Sequence, residues 1–135
     1  MKGACLCGRV TIEVPGRPEY LNQCNCAFCV KLGAMWGYYP ASTVVFAGSI
    51  ASYERDDVAE PTITGQFCAT CGATTSWAPI KDGMPDRMGV NMRLFDPADL
   101  TGIELRFGNR RDYPAGEPRH YYRAATTFDG LGASA

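Results

Sequence analysis

Seven cysteines, arranged as a pair, a triplet and a pair, constrain this chain more than any other feature. Cys5 and Cys7 stand near the start, Cys24, Cys26 and Cys29 follow within six residues, and Cys68 and Cys71 lie mid-chain. An odd number cannot be fully paired in disulfides, and a Cys-x-Cys bridge would close a tight, strained ring. Reduced thiols in a reducing compartment therefore fit the sequence better than a secreted disulfide framework. Any fold for this chain has to bring the remote pairs together or leave four thiols without a role.

Structural Zn²⁺ takes four tetrahedral thiolate or imidazole ligands, commonly from two close-spaced pairs remote in sequence. Cys5 and Cys7 with Cys68 and Cys71 fit that pattern, and each pair is followed by a glycine, Gly8 or Gly72, able to turn the backbone tightly around a bound sulfur. Closing so long a loop would restrict the unfolded chain considerably. The alternative is a set of buried reduced cysteines that pack as small apolar groups. The triplet offers only three ligands, and a zinc with three protein ligands and an open fourth position has the coordination of a catalytic site. A substrate thiol arriving there would be held as its nucleophilic thiolate. The alternatives are an adventitious metal site or a structural one completed by another residue.

The rest of the chain narrows the setting. Its 135 residues fit one domain, expected over residues 1–123, with a tail over residues 124–135 that is small, polar and expected to fray. Thirteen basic against fourteen acidic residues give a formal charge of −1, which supplies no general attraction to nucleic acid or to an anionic membrane. No apolar run approaches the roughly 20 residues of a membrane-spanning helix, and the start shows neither a signal segment nor an arginine-rich transit stretch. A soluble, cytoplasmic protein is expected. His120 is the single histidine and lies outside every cysteine cluster, so a surface role is its default. Arg106, Arg110 and Arg111 form a small basic group able to grip a carboxylate, although Asp112 follows and a solvated face is the simpler reading. Trp36, Tyr38, Tyr39 and Trp77 read as core and groove lining rather than a cofactor box.

Hydrophobic alternation predicts mostly strands. Val10, Ile12 and Val14 share one side of a strand over residues 9–14, and Pro15-Gly16-Arg17-Pro18 turns the chain back through residues 19–23 to the triplet. Residues 28–32 predict a short helical turn ended by Gly33. Residues 35–39, 43–46 and 50–54 read as a meander, followed by a charged loop and then by strands over 62–67 and 74–77 around the second pair. After a turn-rich loop at 81–86, a strand over 88–95 places Met88, Val90, Met92 and Leu94 on one face. Asp96 and Pro97 carry the cap and first-position signals of a short helical turn, and residues 103–107 give a last strand.

Together these residues resemble the glutathione-dependent formaldehyde-activating family, also called the centromere protein V type. The resemblance is carried by Cys5-Leu6-Cys7-Gly8, by Cys24-Asn25-Cys26-Ala27-Phe28-Cys29 with Lys31 and Gly33-Ala34, and by Phe46, Gly48 and Tyr53. It continues through Phe67-Cys68-Ala69-Thr70-Cys71-Gly72 and Val90-Asn91-Met92-Arg93-Leu94-Phe95-Asp96. It implies a mainly β, Mss4-like fold of packed antiparallel sheets with one or two short helical turns. It also implies two zinc ions, a structural one on Cys5, Cys7, Cys68 and Cys71 and a catalytic one on Cys24, Cys26 and Cys29. The implied activity is that of a carbon–sulfur lyase joining glutathione and formaldehyde into S-(hydroxymethyl)glutathione and releasing them again. The proton that the product alkoxide needs is left to water or to a tyrosine such as Tyr38 or Tyr39. Many relatives carry histidine and serine where this chain has Asn25 and Ala27, and the segment after Gly108 does not match the family's ending. A non-enzymatic, zinc-stabilised binding module of the same fold is the alternative.

Overall fold

The computed structural model describes residues 1–80, 84–114 and 118–130. Eleven strands and one α-helix are formed in these residues: β1 (Lys2–Ala4), β2 (Thr11–Glu13), β3 (Leu21–Asn22), α1 (Ala27–Leu32), β4 (Trp36–Tyr39), β5 (Val45–Ala47), β6 (Ile50–Glu54), β7 (Ile63–Cys68), β8 (Thr74–Pro79), β9 (Met88–Asn91), β10 (Glu104–Arg106) and β11 (Thr126–Thr127). The protein is mainly β, as the alternation predicts. A three-stranded antiparallel sheet runs β1-β2-β5, and an eight-stranded sheet runs β11-β10-β3-β4-β9-β8-β7-β6, antiparallel except between β10 and β3.

The predicted alternation around β2 holds because Val10, Ile12 and Val14 are all buried while their neighbours face water. They join Leu21, Met35, Val90, Met92, Leu105 and Phe107 in the principal core between the sheets. The helix forms as expected: Cys26 caps its start, and Gly33, left-handed at φ 64°, closes its end by donating to the carbonyls of Cys29 and Val30. Asp96 caps the turn at Pro97–Leu100 by accepting from the Ala98 backbone N–H at 2.9 Å.

Three expectations are corrected. Residues 35–54 are no meander, because β4 pairs with β3 and β9, β5 joins the small sheet beside β2, and β6 forms the edge beside β7. The strand predicted over 88–95 stops at Asn91, whose side-chain oxygen accepts from the Arg93 N–H and turns Met92–Leu94 into a 3₁₀ helix. The tail is not frayed across its described part: Thr126–Thr127 pair with β10, and Phe128 is 2% exposed in the principal core. Burying a phenylalanine side chain contributes about 2 kcal/mol, enough to hold a short polar segment that alternation alone does not mark. The rest of the predicted tail, residues 131–135, and part of the predicted 81–86 loop lie outside the described residues.

One face of the large sheet is shaped by a cross-strand row, Tyr38-Gly89-Trp77-Gly65-Tyr53, in which aromatic residues alternate with glycines on β4, β9, β8, β7 and β6. The Trp77 indole lies across Gly89, where an added Cβ would collide with it, and the Phe28 ring sits 3.3 Å from where a Cβ on Gly65 would be. The glycines are thus the space into which the rings fit. Helix α1 docks on this face through Phe28 and Leu32.

Candidate metal centres and their surroundings

The first cluster is built from two turns of matching form. Cys5 opens the turn between β1 and β2: its sulfur accepts the Val10 N–H at 3.2 Å and its carbonyl accepts the Gly8 N–H at 3.0 Å. Cys68 ends β7 in the same way, its sulfur accepting the N–H groups of Thr70 and Cys71 at 3.4 Å and its carbonyl accepting that of Gly72 at 2.9 Å. Gly8 and Gly72 both adopt φ 78°, so the positive φ expected of these two glycines is realised. The four sulfurs of Cys5, Cys7, Cys68 and Cys71 all lie within 4.8 Å of one another.

Those spacings suit a tetrahedral ion. Sulfurs at about 2.3 Å from zinc stand about 3.8 Å apart, and the Cys5–Cys7 and Cys7–Cys68 sulfurs are 3.6 and 3.8 Å apart. Backbone N–H groups aimed at sulfur also favour the thiolate. That of Ala73 is the foremost cause that draws the Cys71 thiol down to about 6 from an ordinary value of 9.0.

The second cluster sits where β3 runs into α1. Cys26 is the helix cap, its sulfur accepting the Cys29 N–H at 3.4 Å, while the Cys24 sulfur accepts the Cys26 N–H at 3.4 Å. The three sulfurs of Cys24, Cys26 and Cys29 lie within 4.8 Å of one another. Their surroundings are apolar and aromatic, with Cys24, Cys29, Phe28, Ala34 and Trp36 forming a second buried cluster against which Tyr38, Ile63 and Trp77 pack. The buried Trp36 indole donates its Nε1–H to the Cys29 sulfur at 3.1 Å.

Without a cation such a box cannot hold three thiolates. The thiols of Cys24 and then Cys29 donate to Cys26 and pull its pKa far down, while the same sharing, with Cys24 first and burial added, drives Cys29 upward. The sharing among the three sulfurs pushes their pKa values apart, Cys26 downward and Cys24 and Cys29 upward. A divalent cation would relieve this conflict, and the three-sulfur donor set suits zinc. Arg55 adds positive charge nearby. Its guanidinium stacks 4.7 Å from the Phe28 ring centre and makes two bonds to Asp57, at 3.0 and 2.7 Å. Its charge is favoured first by Asp57 and then by the cysteines Cys26 and Cys29.

Asn22, Asn109 and Tyr122, which the sequence did not single out, hold this site together with Asn25, marked there only as a departure from the family pattern. Asn22 Nδ2 donates to the Tyr38 hydroxyl at 2.7 Å, and its Oδ1 accepts the Gly108 N–H at 3.0 Å. Asn25, between the first two triplet cysteines, donates to Asn109 Oδ1 at 2.9 Å and accepts the Arg111 N–H at 3.0 Å. The segment after Gly108 is therefore the wall that fixes the triplet loop. Tyr122, from the same segment, places its hydroxyl 3.3 Å from the Gln23 carbonyl next to Cys24. Nothing in alternation marks these contacts, because each spans more than ten residues of sequence.

The other candidates separate. Tyr38 faces the triplet, whereas Tyr39 points into the principal core with its hydroxyl on the Gly16 carbonyl at 2.8 Å. His120 is exposed, stacks on Tyr113 at 3.6 Å, and belongs to neither sulfur cluster. Arg106 pairs with Glu104 and stacks 3.8 Å from the Tyr20 ring centre, and Arg111 serves through its backbone.

The family model of glutathione-dependent formaldehyde-activating enzymes matches residues 1–105. The chain belongs to this family. A crystal structure of a Rhodobacter sphaeroides protein, determined as a structural-genomics target, is similar at 30% identity and a TM-score of 0.60, covering 76% of this chain and 97% of that one. No protein of curated function matches the chain. The match spans all seven cysteines and stops inside β10, so the Asn109 and Tyr122 wall lies beyond it. No helix among the described residues is long and apolar enough to cross a membrane.

Proposed function

We propose that this protein is a zinc-dependent carbon–sulfur lyase that makes and breaks a thiol–aldehyde adduct, with glutathione and formaldehyde giving S-(hydroxymethyl)glutathione as the leading case. The observation that carries the reading is the convergence of three sulfurs, those of Cys24, Cys26 and Cys29, apart from the four-sulfur cluster, in a chain of this family. Zinc on the triplet, with a fourth position open, would supply the charge that keeps a substrate sulfur ionised.

The chain's own residues do the rest. Trp36 fixes the Cys29 sulfur through its indole N–H, and the Asn25–Asn109 pair fixes the loop between Cys24 and Cys26. The substrate sulfur adds its electron pair to the aldehyde carbon, the C–S bond forms, and the C=O pair moves onto oxygen, which then needs a proton. We assign that role to Tyr38, which packs against the buried cluster around the triplet. Burial raises its pKa above the ordinary phenol value, so it stays protonated, and it accepts rather than donates in its bond with Asn22 Nδ2. Its hydrogen is left to point elsewhere, and in the reverse direction the phenolate formed takes the proton back. Seven free cysteines among the described residues favour a reducing, cytoplasmic setting.

The test is zinc content and turnover of protein prepared without chelator, for the wild type and Cys26→Ser. About two zinc ions per chain should fall to about one, with turnover abolished and the fold kept. Turnover retained in Cys26→Ser would remove the triplet from the chemistry. The binding-module reading is favoured by a separate cavity of about 330 Å³ beside α1, lined by Phe28, Leu32, Tyr53 and Phe67 among others. About one zinc in both proteins, with no turnover, would select it.

A further inference from the structure

A surface cavity of about 310 Å³ lies between Glu19, Tyr20, Tyr38, Arg87 and Arg119. Two arginines are held there by a single phenol: Arg87 Nη2 donates to the Tyr20 hydroxyl at 3.4 Å and Arg119 Nη1 donates to it at 3.2 Å. The Arg87 guanidinium also stacks 4.2 Å from the Tyr38 ring centre, so its plane is fixed by a ring rather than by a counter-charge. No ion pair neutralises Arg87 among the described residues. A guanidinium offers five N–H donors in a planar fork that matches a carboxylate, and the bond to Tyr20 leaves most of that fork unused.

The cavity adjoins the triplet through Tyr38. That residue lines the cavity and also packs against the cluster that contains Cys24 and Cys29. Tyr38 and Trp36 lie on the same side of β4, two residues and so about 7 Å apart along the strand, and Trp36 is the residue whose indole touches the Cys29 sulfur. Tyr38 is thus the residue shared by the cavity and the surroundings of the triplet.

We propose that this cavity is the subsite that holds a carboxylate of the thiol substrate, gripped by Arg87 and Arg119, with Glu19 facing the ammonium group that accompanies such a carboxylate in an amino acid. The proposal rests on the reading of the triplet as the place where that thiol reacts. It makes the substrate an anionic, amino-acid-bearing thiol rather than any small thiol, and it makes Arg87 and Arg119 residues of specificity.

Calorimetric titration with glutathione and with its diethyl ester, in which both carboxylates are blocked, tests the assignment. Wild-type protein should bind glutathione at least about tenfold more tightly than the ester, as loss of a charge-assisted fork requires. Arg87→Gln and, separately, Arg119→Gln should narrow that ratio toward one while zinc content and far-ultraviolet circular dichroism stay as in the wild type. A wild type that does not distinguish the two ligands, or variants that keep the full ratio, would overturn the subsite. The two readings fail differently. Carboxylate selectivity without turnover would leave the subsite standing and sink the lyase, whereas turnover without selectivity would do the reverse.

Discussion

The two sulfur clusters use the same element for different ends. Around Cys5 and Cys68 the protein spends backbone: two glycine-closed turns aim N–H groups at sulfur, and Cys7 stands from Cys5 and from Cys68 at the sulfur spacing of a filled tetrahedron. Around Cys24, Cys26 and Cys29 it spends side chains: an indole, two asparagines and a buried tyrosine enclose three sulfurs that lack a fourth of their own kind. A site completed by its own chain resists change, and a site left one ligand short invites a visitor. Under the proposed function, one donor atom serves the fold in the first cluster and the chemistry in the second.

The sharpest way to break the comparison is to damage the complete cluster. Cys68→Ser removes one of the four sulfurs that join the β1–β2 turn to the β7–β8 turn, and if they hold a structural metal, cooperative thermal unfolding should be lost, as it is when small domains lose one. Cys26→Ser should unfold like the wild type. If both variants unfold alike, the division of labour between the clusters is wrong.

A smaller effect tests the side-chain shell. Tyr38→Phe keeps the ring on which Arg87 stacks and removes only the hydroxyl that meets Asn22. Turnover should fall by about 10²-fold, the lower range of lost general acid catalysis, with zinc content unchanged. A loss of less than twofold would take the proton role from Tyr38. The smallest effect is expected for Trp36→Phe, which keeps a buried ring but deletes the N–H bonded to Cys29. Competition with a zinc chelator should show affinity at the triplet weakened by about tenfold, the usual cost of losing an outer-sphere bond, with the four-cysteine site unaffected. Equal weakening at both sites would mean that Trp36 acts on the fold and not on the sulfur.

Much of this arrangement is legible in the sequence, for physical reasons that also explain the misses. Thiols bind metal only when spaced to converge, so the two-three-two pattern gives both clusters directly, and Val10, Ile12 and Val14 give β2 because one face of a sheet must be dry. Alternation states which face is buried but not which strand lies alongside. That is why residues 35–54 read as consecutive neighbours although β4, β5 and β6 pair elsewhere. Asn91 is invisible to periodicity, since its effect comes from a side-chain oxygen that competes for a backbone N–H. The cavity around Tyr20 draws Arg87 and Arg119 from 67 and 99 positions away, and no local pattern joins them.

The alternating row Tyr38-Gly89-Trp77-Gly65-Tyr53 bears on how this protein can vary over generations. Each glycine is a slot cut to a particular ring, so a larger residue at 89 is barred while Trp77 stays, and a smaller residue at 77 leaves an empty slot while Gly89 stays. Neither partner can drift alone without loss. Change along this face must come in matched steps, slot and ring together, and the ground on which α1 and its cysteines rest is for that reason slow to move.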